Sequence, residues 1–280
     1  MEEEKGDWRD LIKDVVRRRH RNPLFRLCAR TAEAYLRAHH NENHYRFSHN
    51  GERFMLETFK AVMGGDRVVA FDVGAHFGLW TRAFLERFPE GRVHCFEIAP
   101  PTLEVLKGEV GKDPRVHING VGLSAQSGTL SLQYSADVTT ASTVHTPMLA
   151  QNWHFGYETM LVRVTTGDAY IAQANVDRLD ILKVDTEGHD LSVLKGFAGR
   201  LADPGVPLIQ FEHGFVHIPA RSLLCDFYDL LKPLGYVIGR LHPRCVDFKD
   251  YDLCVDEQFR MGNYIAVHQT QDKLIAALRG

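Results

Sequence analysis

Apolar residues in this chain keep a helical period at first and then fall mostly into short runs. Early on they fall at Trp8, Leu11, Ile12, Val15 and Val16, the three- and four-residue spacing of a helix with one apolar stripe. Pro23 stops that helix or starts a second, suggested by Leu24, Leu27, Ala34 and Tyr35. From Val68 onward the pattern becomes short apolar runs. Residues 68–71 read as a buried strand that enters a glycine turn and then a helix. Residues 92–96 form a second strand ending in Glu97, and 115–119 a third. Residues 128–134 alternate, 161–164 resume a strand, and 168–174 read as a helix. Leu179, Ile181, Leu182 and Val184 make a nearly all-apolar strand, as buried parallel strands do, ending in Asp185. Residues 208–211 are another strand, 221–235 a helix, and 236–239 and 263–267 the last strands. Strands alternating with helices predict an α/β fold with a doubly wound, mostly parallel sheet of seven strands. We expect residues 1–60 to be an N-terminal helical extension and 61–280 the main domain.

The turn after the first strand carries Asp72, Gly74, Ala75, His76 and Gly78. Glycine permits a tight turn and a ligand lying against the backbone. The following helix aims free N–H groups at whatever lies above the turn. Glu97, roughly 20 residues on, is placed to accept hydrogen bonds from ribose hydroxyls. A dinucleotide fingerprint would be G-x-G-x-x-G, but Asp72-x-Gly74-x-x-x-Gly78 has His76 at the second glycine position. An Asp two residues before the first glycine suits a cationic amino-acid group. A ribose without a pyrophosphate, joined to such a group, describes S-adenosylmethionine, with S-adenosylhomocysteine as product.

Four segments carry a family resemblance: FDVGAHFG (71–78), FEIAP (96–100), LSAQSGTLSL (123–132) and KVDTEGHDLSVLKG (183–196). With them, residues 68–214 resemble the FkbM-type S-adenosylmethionine-dependent methyltransferases. The resemblance implies a class I methyltransferase, Rossmann-like fold whose last strand is antiparallel. It also implies adenine contacts near Ser124 and a hydroxyl acceptor on a sugar or secondary metabolite. The chain departs from the family pattern at His76, where Asn is frequent, and at Gly167-Asp168, where Leu-Asp is usual.

Composition narrows the classes. The chain has 280 residues, 44% hydrophobic and 25% charged, with a formal net charge of −3. That is ordinary for a globular enzyme and gives no case for a nucleic-acid partner. No apolar run reaches about 18 residues, and MEEEKGDW lacks the apolar core of a secretory signal, so we expect a cytoplasmic protein with no membrane partner. Five cysteines without C-x-x-C spacing fit a reducing compartment and no cysteine-rich zinc site. Arg17-Arg18-Arg19-His20-Arg21 reads as a solvated helix end, or as a patch for phosphate or an acidic surface.

For the chemistry, Asp185, Glu187, His189, Glu212 and His213 gather at two adjacent strand ends. We expect His213 to be the general base for a hydroxyl acceptor, with Asp185 orienting it or touching the donor. Glu187 and Asp190 read as anions at a helix N-terminus. No metal site is expected, although these carboxylates could hold Mg²⁺. Residues 135–159, rich in Ser, Thr and His with Trp153, Phe155 and Tyr157, are too long for a plain loop and read as a substrate lid. The N-terminal helices could cap the site or make a homo-oligomer contact. Three other readings remain open: a nucleotide-dependent oxidoreductase, a non-catalytic nucleoside-binding module and an RNA methyltransferase.

Overall fold

The computed structural model of the chain describes residues 7–42, 46–146, 156–203 and 205–280. Two compact units divide it, Met1–Glu42 and Asn43–Gly280. The first unit holds helices α1 (Trp8–Arg18) and α2 (Pro23–His39). Asp7 caps α1 by accepting from the Arg9 N–H, and Asn22 caps α2 by accepting from that of Leu24. Pro23 then occupies a first-turn position, where a missing N–H costs nothing. The division falls earlier than residue 60. Helix α3 (Glu52–Met63) belongs to the second unit, because its Met55, Leu56 and Phe59 are buried in that unit's core.

The second unit continues with β1 (Val69–Val73), α4 (Leu79–Arg87), β2 (Arg92–Phe96), α5 (Pro100–Val110) and β3 (Val116–Asn119). Next come β4 (Gly122–Leu123), β5 (Gly128–Tyr134), β6 (Glu158–Thr165) and α6 (Gly167–Ala174). Then follow β7 (Ile181–Val184), α7 (Asp190–Lys195), α8 (Ala198–Ala202), β8 (Leu208–His213) and α9 (Leu224–Leu231). The last elements are β9 (Tyr236–His242), β10 (Cys245–Phe248), α10 (Leu253–Asp256), β11 (Gly262–His268) and α11 (Asp272–Arg279).

The main sheet is doubly wound and mixed, with eight strands in the order β3-β2-β1-β7-β8-β11-β9-β10. Neighbours from β3 through β8 are parallel, and β11 is antiparallel to both β8 and β9. Seven strands were expected. The eighth is β10, which folds back antiparallel on β9 at the sheet edge. Its four residues, CVDF, are too few to show a strand pattern in the sequence.

Alternation along the strands builds two cores. Ala70, Val93, Ile181, Leu208 and Ile265 face α3, α4, α5 and α11. Phe71, Phe96, Leu182, Ile209 and Phe211 face the layer of α6 to α9. The segment read as an added strand forms a small second sheet, in which β5 pairs antiparallel with β6 and β6 parallel with β4. Leu132, Tyr134 and Val162 of that sheet pack with Ala99 just after β2.

Gly74 is where the turn meets this frame. It has φ +78°, and a Cβ there would overlap the backbone carbonyl of Asp185 at the end of β7. We expected the missing side chain to make room for a ligand. It makes room first for the neighbouring strand. Even Gly74→Ala should destabilise the fold by about 3 kcal/mol or more, from left-handed strain plus overlap with rigid backbone. Denaturant unfolding measures this, and a Gly74→Ala chain as stable as the parent would refute the contact.

Candidate active site

The C-terminal ends of β1, β2 and β7 open into a cleft of about 270 Å³. One wall is the glycine turn, which is laid across β2: the Gly74 and Ala75 N–H groups both donate to the Phe96 carbonyl, at 3.0 and 3.1 Å. Glu97 stands at the tip of β2 and lines the cleft. Its Oε2 accepts from the His76 N–H at 3.0 Å and its Oε1 from the Ala99 N–H at 2.9 Å. Burial raises its pKa, and those two N–H groups oppose the shift. Ile98, Leu123 and Leu132 give an apolar side to the same cleft.

Beneath the cleft lies a buried ammonium. Lys183 Nζ is 3.1 Å from Asp72 Oδ1 and 3.5 Å from Asp185 Oδ2, and it donates to the Gly74 carbonyl at 3.1 Å. Burial alone would lower its pKa, but the carboxylates of Asp72, Asp185 and Glu52 outweigh that and hold it charged. Asp72 also accepts from Thr81 Oγ at 2.7 Å and is fully buried. Asp72 is therefore committed to the frame and does not line the cleft. The expectation that it meets a cationic amino-acid group is corrected. Asp185 and Glu52 are the carboxylates that share the cleft wall near this charge.

The turn after β7 carries the acids. Glu187 sits at φ +53°, a left-handed position for a residue with a side chain, and Gly188 follows at +100°. A Cβ at Gly188 would overlap the Val216 carbonyl, so this turn too is wedged against the next strand's loop. One carboxylate oxygen each from Asp185, Glu187 and Glu212 lies within 4.8 Å of the others. Burial raises the pKa of Glu187 well above the usual carboxylate range, and Asp185 and Asp190 add to the shift. Asp190 itself is different. Burial would raise it, but the neighbouring His217 ring, 3.4 Å away, and the Thr186 hydrogen bond prevail and hold its carboxyl low. Thr186 Oγ1 donates to Asp190 Oδ2 at 3.0 Å.

His213 is not in the cleft. Its side chain is 1% exposed, packed among Phe227, Phe259 and Tyr264, with Nε2 4.0 Å from Glu257 Oε1. Burial first, and neighbouring His217 next, push its pKa down to about 3. A base must reach the proton it removes, so the assignment of His213 as general base is withdrawn. Ser124 does not line the cleft either, although its neighbour Leu123 does. Its hydroxyl shares a 2.9 Å hydrogen bond with His189 Nε2, and His189 Nδ1 lies 3.2 Å from His145 Nε2.

Gly74, Ala75, His76, Glu97 and Asp185 do line the cleft, and Gly78 starts α4 behind it. His76 and two threonines also line the cleft. His76 Nε2 and Thr139 Oγ1 share a 2.7 Å hydrogen bond, and Thr143 Oγ1 donates to the Glu187 carbonyl at 2.9 Å. Thr139 and Thr143 belong to the expected lid segment. The rest of that segment with Trp153, His154 and Phe155, residues 147–155, lies outside the described residues. Phe47 and Glu52, from before and within α3, also line the cleft and had no sequence signal. Lys183 did have one, as a lone cation in an apolar strand.

The family model described as the methyltransferase FkbM domain matches residues 72–238. The chain belongs to the FkbM methyltransferase family. Among curated relatives, hexuronic acid methyltransferase AglP of Haloferax volcanii is 28% identical over 181 residues, covering 61% of this chain and 70% of that protein. Methyltransferase sdnD of Sordaria araneosa is 27% identical, covering 45% of this chain and 58% of its own length. A solved structure, methyltransferase FkbM from Methylobacillus flagellatus KT, superposes with TM-score 0.47 at 17% identity, over 73% of this chain and 44% of that one.

Lys183→Met should strip the buried Asp72 of its counter-charge. Breaking one side of such a pair costs about 3–5 kcal/mol. Thermal unfolding checks it, and Asp72→Asn combined with Lys183→Met should recover part of the loss because no lone charge remains buried. A Lys183→Met chain of parental stability would contradict the pairing.

Proposed function

We propose that this FkbM-family chain is an S-adenosylmethionine-dependent O-methyltransferase acting on a hydroxyl of a small molecule, a sugar or secondary metabolite. The observation that carries the reading is Glu97. Its carboxylate is held at the tip of β2 by two backbone N–H groups, beside a glycine turn and an apolar wall. That donor and acceptor set fits a nucleoside with a free ribose diol, and the turn offers no dinucleotide fingerprint for a pyrophosphate. The relative named for hexuronic acid supports a sugar-like acceptor, and the FkbM domain of this chain supports methyl transfer.

When bound, the cofactor supplies an activated methyl group, so the chain's work is positioning and proton removal. The β1 turn and Glu97 hold the nucleoside. Glu52 and Asp185, beside Lys183, are the carboxylates available to an ammonium group. Thr139 and Thr143, tied to His76 and Glu187, form the part of the cleft wall that the 135–146 segment supplies.

Glu187 is the group suited to take the acceptor proton. It lines the cleft, and burial among like charges makes it a stronger base than an ordinary carboxylate. His189 lines the cleft as well, but both its nitrogens are engaged and burial pushes its pKa down to about 4. A second reading makes Asp185, Glu187 and Glu212 ligands of Mg²⁺, favoured by their mutual spacing and by Glu212 Oε2, which is buried without a hydrogen-bond partner among the described residues.

Calorimetry with S-adenosylhomocysteine tests the first step. Glu97→Ala should weaken binding roughly tenfold or more, the loss of charge-assisted bonds worth about 1.5–3 kcal/mol each. Parental affinity in that variant would remove the ribose assignment. NAD binding instead would favour the oxidoreductase.

Once a hydroxyl acceptor is found by mass-spectrometric screening, Glu187→Gln should lower kcat by about 10²- to 10⁴-fold. The raised pKa sets the sign of the pH profile. Glu187 is protonated and idle below its pKa and becomes a base above it, so kcat should rise through a midpoint above the usual carboxylate range. Activity that EDTA abolishes and Mg²⁺ restores would replace the base with the metal reading.

A further inference from the structure

Helix α1 lies outside everything the active site explains. None of its residues is buried. Trp8, Leu11, Ile12, Val15 and Val16 are between 40% and 70% exposed. At 100° per residue they occupy one arc of roughly 140°, a wide apolar stripe on a short helix. A stripe of that kind left in water is costly, so something covers it.

The charges on α1 say what. Its acids are placed opposite the stripe and are already neutralised within the helix: Lys13 pairs with Asp10 at 2.9 Å and Arg17 with Asp14 at 3.1 Å. Arg9 and Arg18 flank the stripe on its two sides, Arg9 with its guanidinium 5.6 Å over the Trp8 ring. Arg18, Arg19 and Arg21 make no ion pair with a described residue. Residues 7–42 carry nine Lys or Arg against five Asp or Glu, on a chain whose formal net charge is −3. The whole unit, residues 1–42, carries ten Lys or Arg against eight Asp or Glu, so the part that exposes apolar surface is net positive on a net-negative chain.

We propose that α1 docks on an anionic phospholipid surface, lying in the plane of the interface. The stripe enters the boundary between headgroups and acyl chains, and Arg9, Arg18, Arg19 and Arg21 reach lipid phosphates. The helix spans 11 residues, and among the described residues no helix is long and apolar enough to cross a membrane, so the attachment is peripheral. A second copy of this chain fits the stripe less well, because it presents the same arginine flanks and like charges would meet. The expectation of no membrane partner rested on the lack of a spanning run and of a secretory-signal core, and an interfacial helix escapes both criteria.

Co-sedimentation of the full 280-residue chain with vesicles tests the proposal. Phosphatidylcholine mixed with phosphatidylserine should pellet the protein, phosphatidylcholine alone should not, and salt should weaken the binding. The double variant Leu11→Glu, Val15→Glu should lose binding by roughly tenfold or more. Arg18→Gln with Arg19→Gln should lose about fivefold per residue. The melting temperature of the chain should hold in both variants, since none of these side chains is buried. No pelleting with anionic vesicles overturns the proposal, as does pelleting that the double variant retains. A chain that self-associates through Leu11 and Val15 and ignores both vesicles overturns it in favour of a second copy.

Discussion

Lys183 carries a full positive charge in the middle of a four-residue apolar strand, and the catalytic unit is arranged so that it can. Desolvation of an ammonium costs several kcal/mol in a protein interior unless geometry returns the loss. Here β1 supplies Asp72 and the Gly74 carbonyl, and β7 supplies Asp185. Those partners exist only when the two strands are in the observed register, Asp72 opposite Lys183. The ion pair and the glycine contact therefore specify one alignment of the central strands. From that alignment follow the position of the turn, of Glu97 on the next strand, and of the acidic turn after β7.

The same charge sets the electrostatics above it. Lys183 pulls the pKa of Glu97, Asp185, Glu187 and Glu212 down while burial pushes all four up. Burial prevails at each. Several carboxylates sharing one cation cannot all be equally acidic, and the spread of environments is what gives a site both binding anions and a base. Asp190 escapes the trend because it has its own partners, Thr186 and His217. The expectation that it and Glu187 serve alike as helix anions fails for that reason. One is hydrogen-bonded and low, the other is wedged in a left-handed turn and high.

The sheet was legible because burial on both faces forces continuous apolar runs, and because glycine and acid mark the strand ends. The cleft wall formed by Gly74, His76 and Glu97 was legible on the same grounds. His213 was misread because adjacency in sequence to Glu212 was taken for adjacency in the cleft. Successive strand residues point to opposite faces, and the ring turns into the aromatic core beside Phe227. Phe47 and Glu52 were illegible because the chain returns to the cleft from elements with no local signature of doing so. The edge strand β10 escaped for want of length, and α3 was assigned to the extension because a boundary between units leaves no pattern when both sides are helical.

The place of β11 has a consequence for how the chain acquires its fold. This strand comes after the other seven of the main sheet, yet it sits inside the sheet, hydrogen-bonded to β8 on one side and β9 on the other. Until residues 262–268 are available, the β9–β10 hairpin has only itself for a partner, and β8 carries an open edge. Helix α11 then seals Leu274 and Leu278 against a core that includes Met55 and Phe59 of α3. Assembly during synthesis must therefore wait for the C-terminal stretch, with sequence-distant pairings formed late and slowly. A ribosome stalled before residue 262 would hold an exposed parallel strand edge, the kind of surface that chaperones recognise and that aggregates when they do not.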